Sequence, residues 1–486
     1  MKKWNIILIL FIKTISKLIF VHTHFRHGHR GSSKGGFKGS GKDYININWL
    51  TESELTEIGI RQEYILGFNT RIKYINFLSK NYDPNEILVY STFINRALDS
   101  GYSYLNGLYS FNFNNKNCNK NKNLNIKNYN NNLSLTTNQI KNSFPSNLLN
   151  KDIELEIKKL GNLSLPNGLN IIPIHIFNRK DQDFLLSAPI NCKPVSEIRK
   201  NSLKSNLIKN TIKDFKNKYK KKLDYFFKLK NINFTYDFTH ILDFCDNFIS
   251  DLIQFNDLND FYLITNITFT KLNNDCNNIF KINLENYQFG NKKLLFISQT
   301  PVIKKLIYYM KKRIEIEEGI LIENIYEKYP KFLIYSGHDS SLIGIMLWMK
   351  ELFNCKTILP LFGSSIYFEL YKNDNLSSLK GNFDDYFIKY IINDEELITL
   401  SFKEFKEISE KFFWNDKEIF DYCKFDIINV DSKKNEIQFY LIILFSMIIL
   451  CLIMFYYFIY LFFKNERKKN KEDKGKELED IFIENK

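Results

Sequence analysis

Arg26-His27-Gly28-His29-Arg30 sets a guanidinium group on either side of the His27 imidazole. Each guanidinium is a planar fork of donors matched to phosphoryl oxygens, and it stays charged at any relevant pH. A neutral imidazole held between them could attack phosphorus, giving a phosphohistidine that water later hydrolyses. A metal centre is the competing reading, because His22, His24, His27 and His29 crowd together. On a strand, however, His22 and His24 share a face that His27 does not, and no carboxylate or Cys is interleaved. The residues therefore point away from a metal, and no cofactor is expected. The tripeptide alone also fits an ordinary turn histidine, so the elements that carry it must decide.

Leu18-Ile19-Phe20-Val21 lead into the motif as a buried strand breaking at Gly28, which delivers Arg26, His27 and Arg30 where open α/β sheets place ligands. Ile87-Leu88-Val89-Tyr90-Ser91-Thr92 is a second strand-like run, followed by Asn95-Arg96 and a helix from Ala97 to Tyr109. Lys331 to Ser336 is a third, breaking at Gly337 into His338-Asp339 before a helix through Met349. Ile171 to Ile176 resumes structure around His175. Between the first two strands, Leu55 to Ile72 reads as a helix whose Ile60, Tyr64, Phe68 and Ile72 face packs on the sheet. Helical periodicity over 196–300 predicts a mostly helical cap, and Val302, Leu306, Met310 and Ile314 mark a long amphipathic helix. Gly36 to Lys42 imitates a phosphate loop, but Asp43 stands where Ser or Thr is required and a strand-like run follows. That stretch reads as a loop over the site.

The 486 residues give room for two domains or one large one with insertions, and 44% hydrophobic residues suffice for a packed core. A net charge of +14 is spread along the chain, with no basic stripe of interleaved aromatics, so no nucleic-acid partner is expected. Twelve of the 21 residues from Asn112 to Asn132 are asparagine, which predicts a disordered surface insertion over 112–164. Residues 1–17 open Met-Lys-Lys and continue apolar, as a secretory signal does. Phe439 to Phe463 is uncharged over 25 residues, long enough for a transmembrane helix within 438–463. Lys464, Arg467, Lys468, Lys469 and Lys471 then place a basic tail, 464–486, in the cytosol. The expected topology is single-pass type I on the secretory route, at the cell surface or in a vacuole or lysosome-like compartment. Sequons at Asn132, Asn162, Asn233, Asn266 and Asn375 all fall on the luminal side, as do six of the seven cysteines.

In order along the chain, Phe25-Arg-His-Gly-His-Arg30, Leu55-Thr-Glu-Ile-Gly59, Ser91-Thr92 with Asn95-Arg96, Pro173-Ile-His175 and Tyr335-Ser-Gly-His-Asp339 resemble the histidine acid phosphatases. This is the branch-two group of the histidine phosphatase superfamily, which includes prostatic and lysosomal acid phosphatases and phytases. The resemblance implies an α/β fold with a central mixed sheet flanked by helices, phosphoglycerate-mutase-like, over 18–111 and 165–430, with the helical cap inserted. It implies His27 as nucleophile and Asp339 as the acid that protonates the leaving alcohol. Arg26, Arg30, Arg96 and His338 would bind the phosphoryl group, and His175 would lie near substrate. It also implies a Cys192–Cys423 disulfide, leaving Cys245 to pair with Cys276 or Cys355 or to stay free.

Some positions depart from the family pattern. Ser32 replaces a proline, His29 an aspartate, and Tyr90 and Phe93 alter the second motif. The catalytic set is intact, so the expected activity is a membrane-anchored acid phosphatase acting on phosphate monoesters, with a homodimer as a possible assembly. Two alternatives stand beside it. One is a more specific phosphatase for inositol phosphates or lysophospholipids, and lysines such as Lys216, Lys218, Lys220 and Lys221 favour the former unless they are a solvated face. The other is a catalytically weak phosphate-binding or surface interaction protein on the same fold.

Overall fold

β1 (Ser16–Arg26) is buried without interruption from Ile19 to Phe25, the pattern of a strand covered by helices on both faces. The computed structural model describes residues 16–32, 53–109, 171–176, 193–229, 234–255, 259–322, 329–373, 383–423, 444–461, 463 and 464. β1 is the fourth of seven strands in one mixed sheet. The others are β2 (Ile87–Ser91), β3 (His175–Ile176), β4 (Phe332–Gly337), β5 (Ser365–Asn373), β6 (Tyr386–Ile392) and β7 (Glu395–Ser401). Their order is β3-β2-β4-β1-β5-β6-β7. The first four in that order run parallel, and β5, β6 and β7 continue antiparallel from β1. β1 begins two residues inside the stretch read as a secretory signal.

Alternation along the strands divides the core. Val21, Phe25, Phe332 and Ile334 face α1 (Glu57–Lys73) and α2 (Asn95–Leu108), where they meet Tyr74, Tyr104 and Leu108. Phe20, Leu333, Tyr335 and Phe368 face the other way into a larger core. That side holds Val302, Leu306, Met310 and Ile314, all buried as their spacing predicts. The described residues between β3 and β4 form helices: α3 (Lys193–Ser202), α4 (Asn206–Leu229), α5 (Phe238–Phe255), α6 (Asn259–Thr265), α7 (Phe269–Ile282), a π-helical turn at Asn283–Gln288, and α8 (Lys292–Glu317). α4 to α7 enclose a core of their own, in which Phe215, Phe226, Phe244, Phe248 and Phe261 pack together. Cys245 and Cys276 are disulfide-bonded at its centre, resolving that open alternative, and Cys355 is free and buried. α9 (Asp339–Phe353) follows β4, and α10 (Phe402–Glu410) and α11 (Asp416–Cys423) close this unit.

α1 corrects the sequence reading. Ile60, Tyr64 and Ile72 are exposed, and the face that packs is instead Gly59, Glu63, Gly67 and Thr70. The reason lies in how closely α1 approaches α2. A Cβ on Gly67 would stand 1.9 Å from the Tyr104 carbonyl oxygen, and one on Gly107 would stand 2.0 Å from that of Tyr64. Backbones this close admit only hydrogen between them, so apolar bulk turns outward.

The second unit contains the helix Leu444–Leu461, which at about 1.5 Å per residue is long and apolar enough to cross a membrane. The leader before residue 16, the glycine-rich loop, the asparagine-rich insertion, four of the five sequons, the Cys192–Cys423 pairing and the basic tail beyond 464 lie outside the described residues.

Replacing Gly107 by Ala should force α1 and α2 apart. A loss of at least about 2 kcal/mol of stability is expected, read as a shifted midpoint in chemical denaturation. A shift below 0.5 kcal/mol would contradict the close packing.

Candidate active site

Three parallel strands end at one level. Arg26 pairs with Gly337, and Ser91 with Ser336, so the residues that follow each strand meet above the sheet edge. Backbone bonds carry this alignment past the strand ends: His27 N donates to Gly337 O at 2.9 Å, and Arg26 N to Ser364 O at 2.9 Å. His27, Thr92, His338 and Asp339 are thereby placed in one cavity of about 370 Å³, which Arg26, Arg30 and Arg96 also line.

The tautomer of His27 follows from its partners. Nδ1 lies 2.8 Å from the Gly28 carbonyl oxygen, which can only accept, so Nδ1 carries the proton. Nε2 keeps its lone pair and accepts from Arg96 Nε at 3.1 Å. Burial, and then Arg26, His338 and Arg96 beside it, push the His27 pKa well below the usual imidazole value, so the ring is neutral. His338 is lowered in the same direction, by burial and then Arg96, and shares a 3.1 Å hydrogen bond with Thr92 Oγ1. Its ring lies edge-on to His27, centroids 5.4 Å apart.

Asp339 is the first residue of α9, where the helix dipole favours a carboxylate. Its Oδ1 accepts from Ser340 N at 2.7 Å, and its Oδ2 pairs with Arg26 Nη2 at 3.2 Å. Burial raises its pKa, but Arg26 and His338 outweigh that and hold the carboxyl below the usual range. Arg26 also donates to Pro360 O at 2.8 Å and lies over the Phe362 ring, 4.1 Å from its centroid. Burial lowers Arg96 to about 10, still charged.

Arg30 is tied to the helical subassembly. Its Nη2 donates to both carboxylate oxygens of Asp246 on α5, at 2.9 and 3.0 Å. His29, the departure from the family's aspartate, works alongside it. Its Nε2 donates to Ser250 O on α5 at 3.0 Å, and its Nδ1 lies 2.7 Å from Thr56 Oγ1, the cap of α1. Burial lowers the His29 pKa to about 4, so this ring too is neutral.

His175 stands apart from the predicted set. It sits exposed on β3 with its ring against Tyr90, centroids 5.6 Å apart, and it lines neither this cavity nor the one beside it. Asp246, Arg199, Tyr287, Pro360 and Phe362 reach the site although no local pattern marks them. Each comes from a segment remote in sequence from all three strand ends. Among the described residues no group of three or more His, Cys, Asp or Glu side chains is arranged to hold a metal ion.

The chain belongs to the histidine phosphatase superfamily (branch 2), whose sequence model matches residues 17–393. Curated relatives include a lysosomal acid phosphatase of Xenopus laevis, 35% identical over 94 residues, which are 19% of this chain and 21% of that one. A testicular acid phosphatase of Mus musculus is 36% identical over 93 residues, 19% and 22% of the two chains. The match thus spans about a fifth of the length of these relatives. Among solved structures, the Citrobacter braakii phytase superposes with a TM-score of 0.48 at 13% identity, over 83% of this chain and 99% of that one. The Hafnia alvei phytase in complex with myo-inositol hexakis sulphate gives 0.49 at 10%, over 82% and 98%.

The buried neutral histidines fix a pH dependence. For a base whose pKa is lowered on folding, the unfolded chain binds more protons between the two values, so stability rises with pH there. For His29 that window runs from about 4 in the folded chain to the ordinary 6.5, and His22, lowered by burial to about 3, acts in the same sense. The unfolding midpoint is therefore expected to fall as pH drops from 6.5 toward 4, with a His29→Gln variant falling less. A flat profile would contradict neutral burial.

Proposed function

We propose that this protein is a phosphomonoesterase working at acidic pH through a phosphohistidine on His27. The observation that carries this reading is the His27 tautomer: a buried neutral ring presents its unprotonated Nε2 to a cavity walled by guanidinium groups. In the first step Nε2 bonds to phosphorus as the ester P–O bond breaks, and the Asp339 carboxyl gives its proton to the departing alkoxide. In the second, water attacks phosphorus, the N–P bond breaks back to Nε2, and the Asp339 carboxylate takes the water proton. Arg26, Arg96 and His338 stabilise charge on the transferring group, and Arg30 joins them when a phosphoryl oxygen competes with Asp246.

The low pKa of Asp339 is compatible with its role. A bound phosphoryl group adds negative charge beside the carboxyl and draws Arg26 away from it, and both changes raise its pKa. The substrate monoanion, prevalent below the second phosphate pKa of about 6, brings a proton as well. Activity should therefore decline above that pH. The exposed position of His175 favours no role at the phosphoryl group.

The apolar helix 444–461 and the internal disulfide support an anchored protein of the secretory route, with the catalytic unit luminal or extracellular. In that reading the signal segment ends before β1 begins at Ser16, and 438–463 is the anchor.

Hydrolysis of phenyl phosphate by the full chain in detergent, from pH 4 to 8 with a chelator present, tests the proposal. Wild type should be most active at the acidic end and indifferent to chelator. His27→Ala should lose at least about 10⁴-fold and Asp339→Asn about 10²-fold in kcat. Trapping ³²P on wild type but not on His27→Ala would identify the covalent species. Full activity in His27→Ala would overturn the assignment.

A further inference from the structure

We propose that the alcohol carried by the substrate is apolar and occupies a second cavity beside the phosphoryl site. This rests on the phosphomonoesterase reading above. The two cavities share Arg26 and Asp339 as a common wall, and the second measures about 300 Å³, the lower end of small-molecule sites.

Chemistry decides which part of the substrate can reach it. The oxygen that receives the proton from Asp339 must lie against that carboxyl, so the carbon bonded to it extends to one side of Asp339 or the other. On one side is the mouth of the phosphoryl cavity, with Arg199, Tyr287 and Gln288. On the other is a chamber walled by Leu252, Ile253, Phe280, Leu284, Leu361 and Phe362. Leu361 is 55% and Ile253 36% exposed, apolar surface left in water that a bound alcohol would cover.

The charges in this chamber exclude the opposite class of substrate. Its ionisable groups are Arg26 and the carboxylates Asp246 and Asp339. Arg26 is engaged by Asp339 and Pro360, and Asp246 by Arg30, so a second phosphate on the alcohol would find carboxylates and no free cation among the described residues. Asn273 and Asn277, also in the wall, give neutral polar contacts that suit an ether or hydroxyl near the ester. A phosphate monoester of an alkyl or aryl alcohol fits; a polyphosphorylated polyol does not.

The test compares kcat/KM of the full chain in lipid nanodiscs for ethyl and octyl phosphate, for phenyl and 1-naphthyl phosphate, and for inositol hexakisphosphate. Burying a methylene group is worth roughly fourfold, so octyl over ethyl should exceed about 30-fold, carried mainly by KM. The naphthyl to phenyl ratio reports separately whether rings are accepted. Ile253→Lys, on an exposed position, should cut the octyl to ethyl ratio at least tenfold. A wild-type ratio within threefold, preference for inositol hexakisphosphate, or a ratio unmoved by Ile253→Lys would each overturn the proposal. Equal turnover of all esters removes this inference alone, whereas no turnover of any ester removes the phosphomonoesterase reading and this inference with it.

Discussion

The parallel alignment of β2, β4 and β1 is the constraint on which the rest of the molecule depends. Because Arg26 lies opposite Gly337 and Ser91 opposite Ser336, residues separated by more than 300 positions in the chain arrive within hydrogen-bonding reach. A slip of one residue in β1 would turn His22 and His24 onto the face now held by Val21 and Phe25, and would send His27 away from His338. The apolar alternation of the strands therefore does more than bury surface. It sets the register that assembles the site.

That assembly is closed from above by the helical subassembly. Arg30 to Asp246 and His29 to Ser250 both join the loop after β1 to α5. A partly buried ion pair stabilises little by itself, since desolvation offsets most of the attraction, but it fixes orientation. Here it holds α5 over the loop, and α5 in turn supplies Leu252 and Ile253 to the wall beside Asp339. The family's aspartate at position 29 would offer acceptors where this chain has a donor to the Ser250 carbonyl. The substitution thus bears on how the helices sit over the site more than on the reacting atoms.

How much of this was legible in the sequence depended on how local each signal was. The strand runs ending in Arg26-His27, Ser91-Thr92 and His338-Asp339 are short and continuous, and each was readable with its break. The long amphipathic α8 was readable for the same reason. α1 was misread because its packing face is made of glycines and Glu63, whose role comes from contact with α2 and leaves no apolar period. Asp246 and Phe362 were invisible because nothing near them in sequence resembles a motif. The Cys245–Cys276 choice could not be made from spacing, since it depends on α5 lying against α7. His175 sits in a matching stretch, yet its strand holds it against Tyr90.

Burial sets a conflict at the centre of this site. A histidine flanked by Arg26 and Arg96 stays unprotonated because charging it would place a third cation in a space that has shed its water. The same desolvation keeps His22, His24, His29 and His338 neutral, and every one of them favours the unfolded chain once acid protonates it there. The proposed reaction needs acid for the substrate monoanion and for the leaving group, so the conditions that favour turnover weaken the fold. The Cys245–Cys276 bridge and the separate aromatic core around it stabilise the subassembly through a crosslink and apolar burial, neither of which depends on keeping a histidine neutral. The element that has to remain over the site is thus held in part by contacts other than the buried histidines, which weaken the strand in acid.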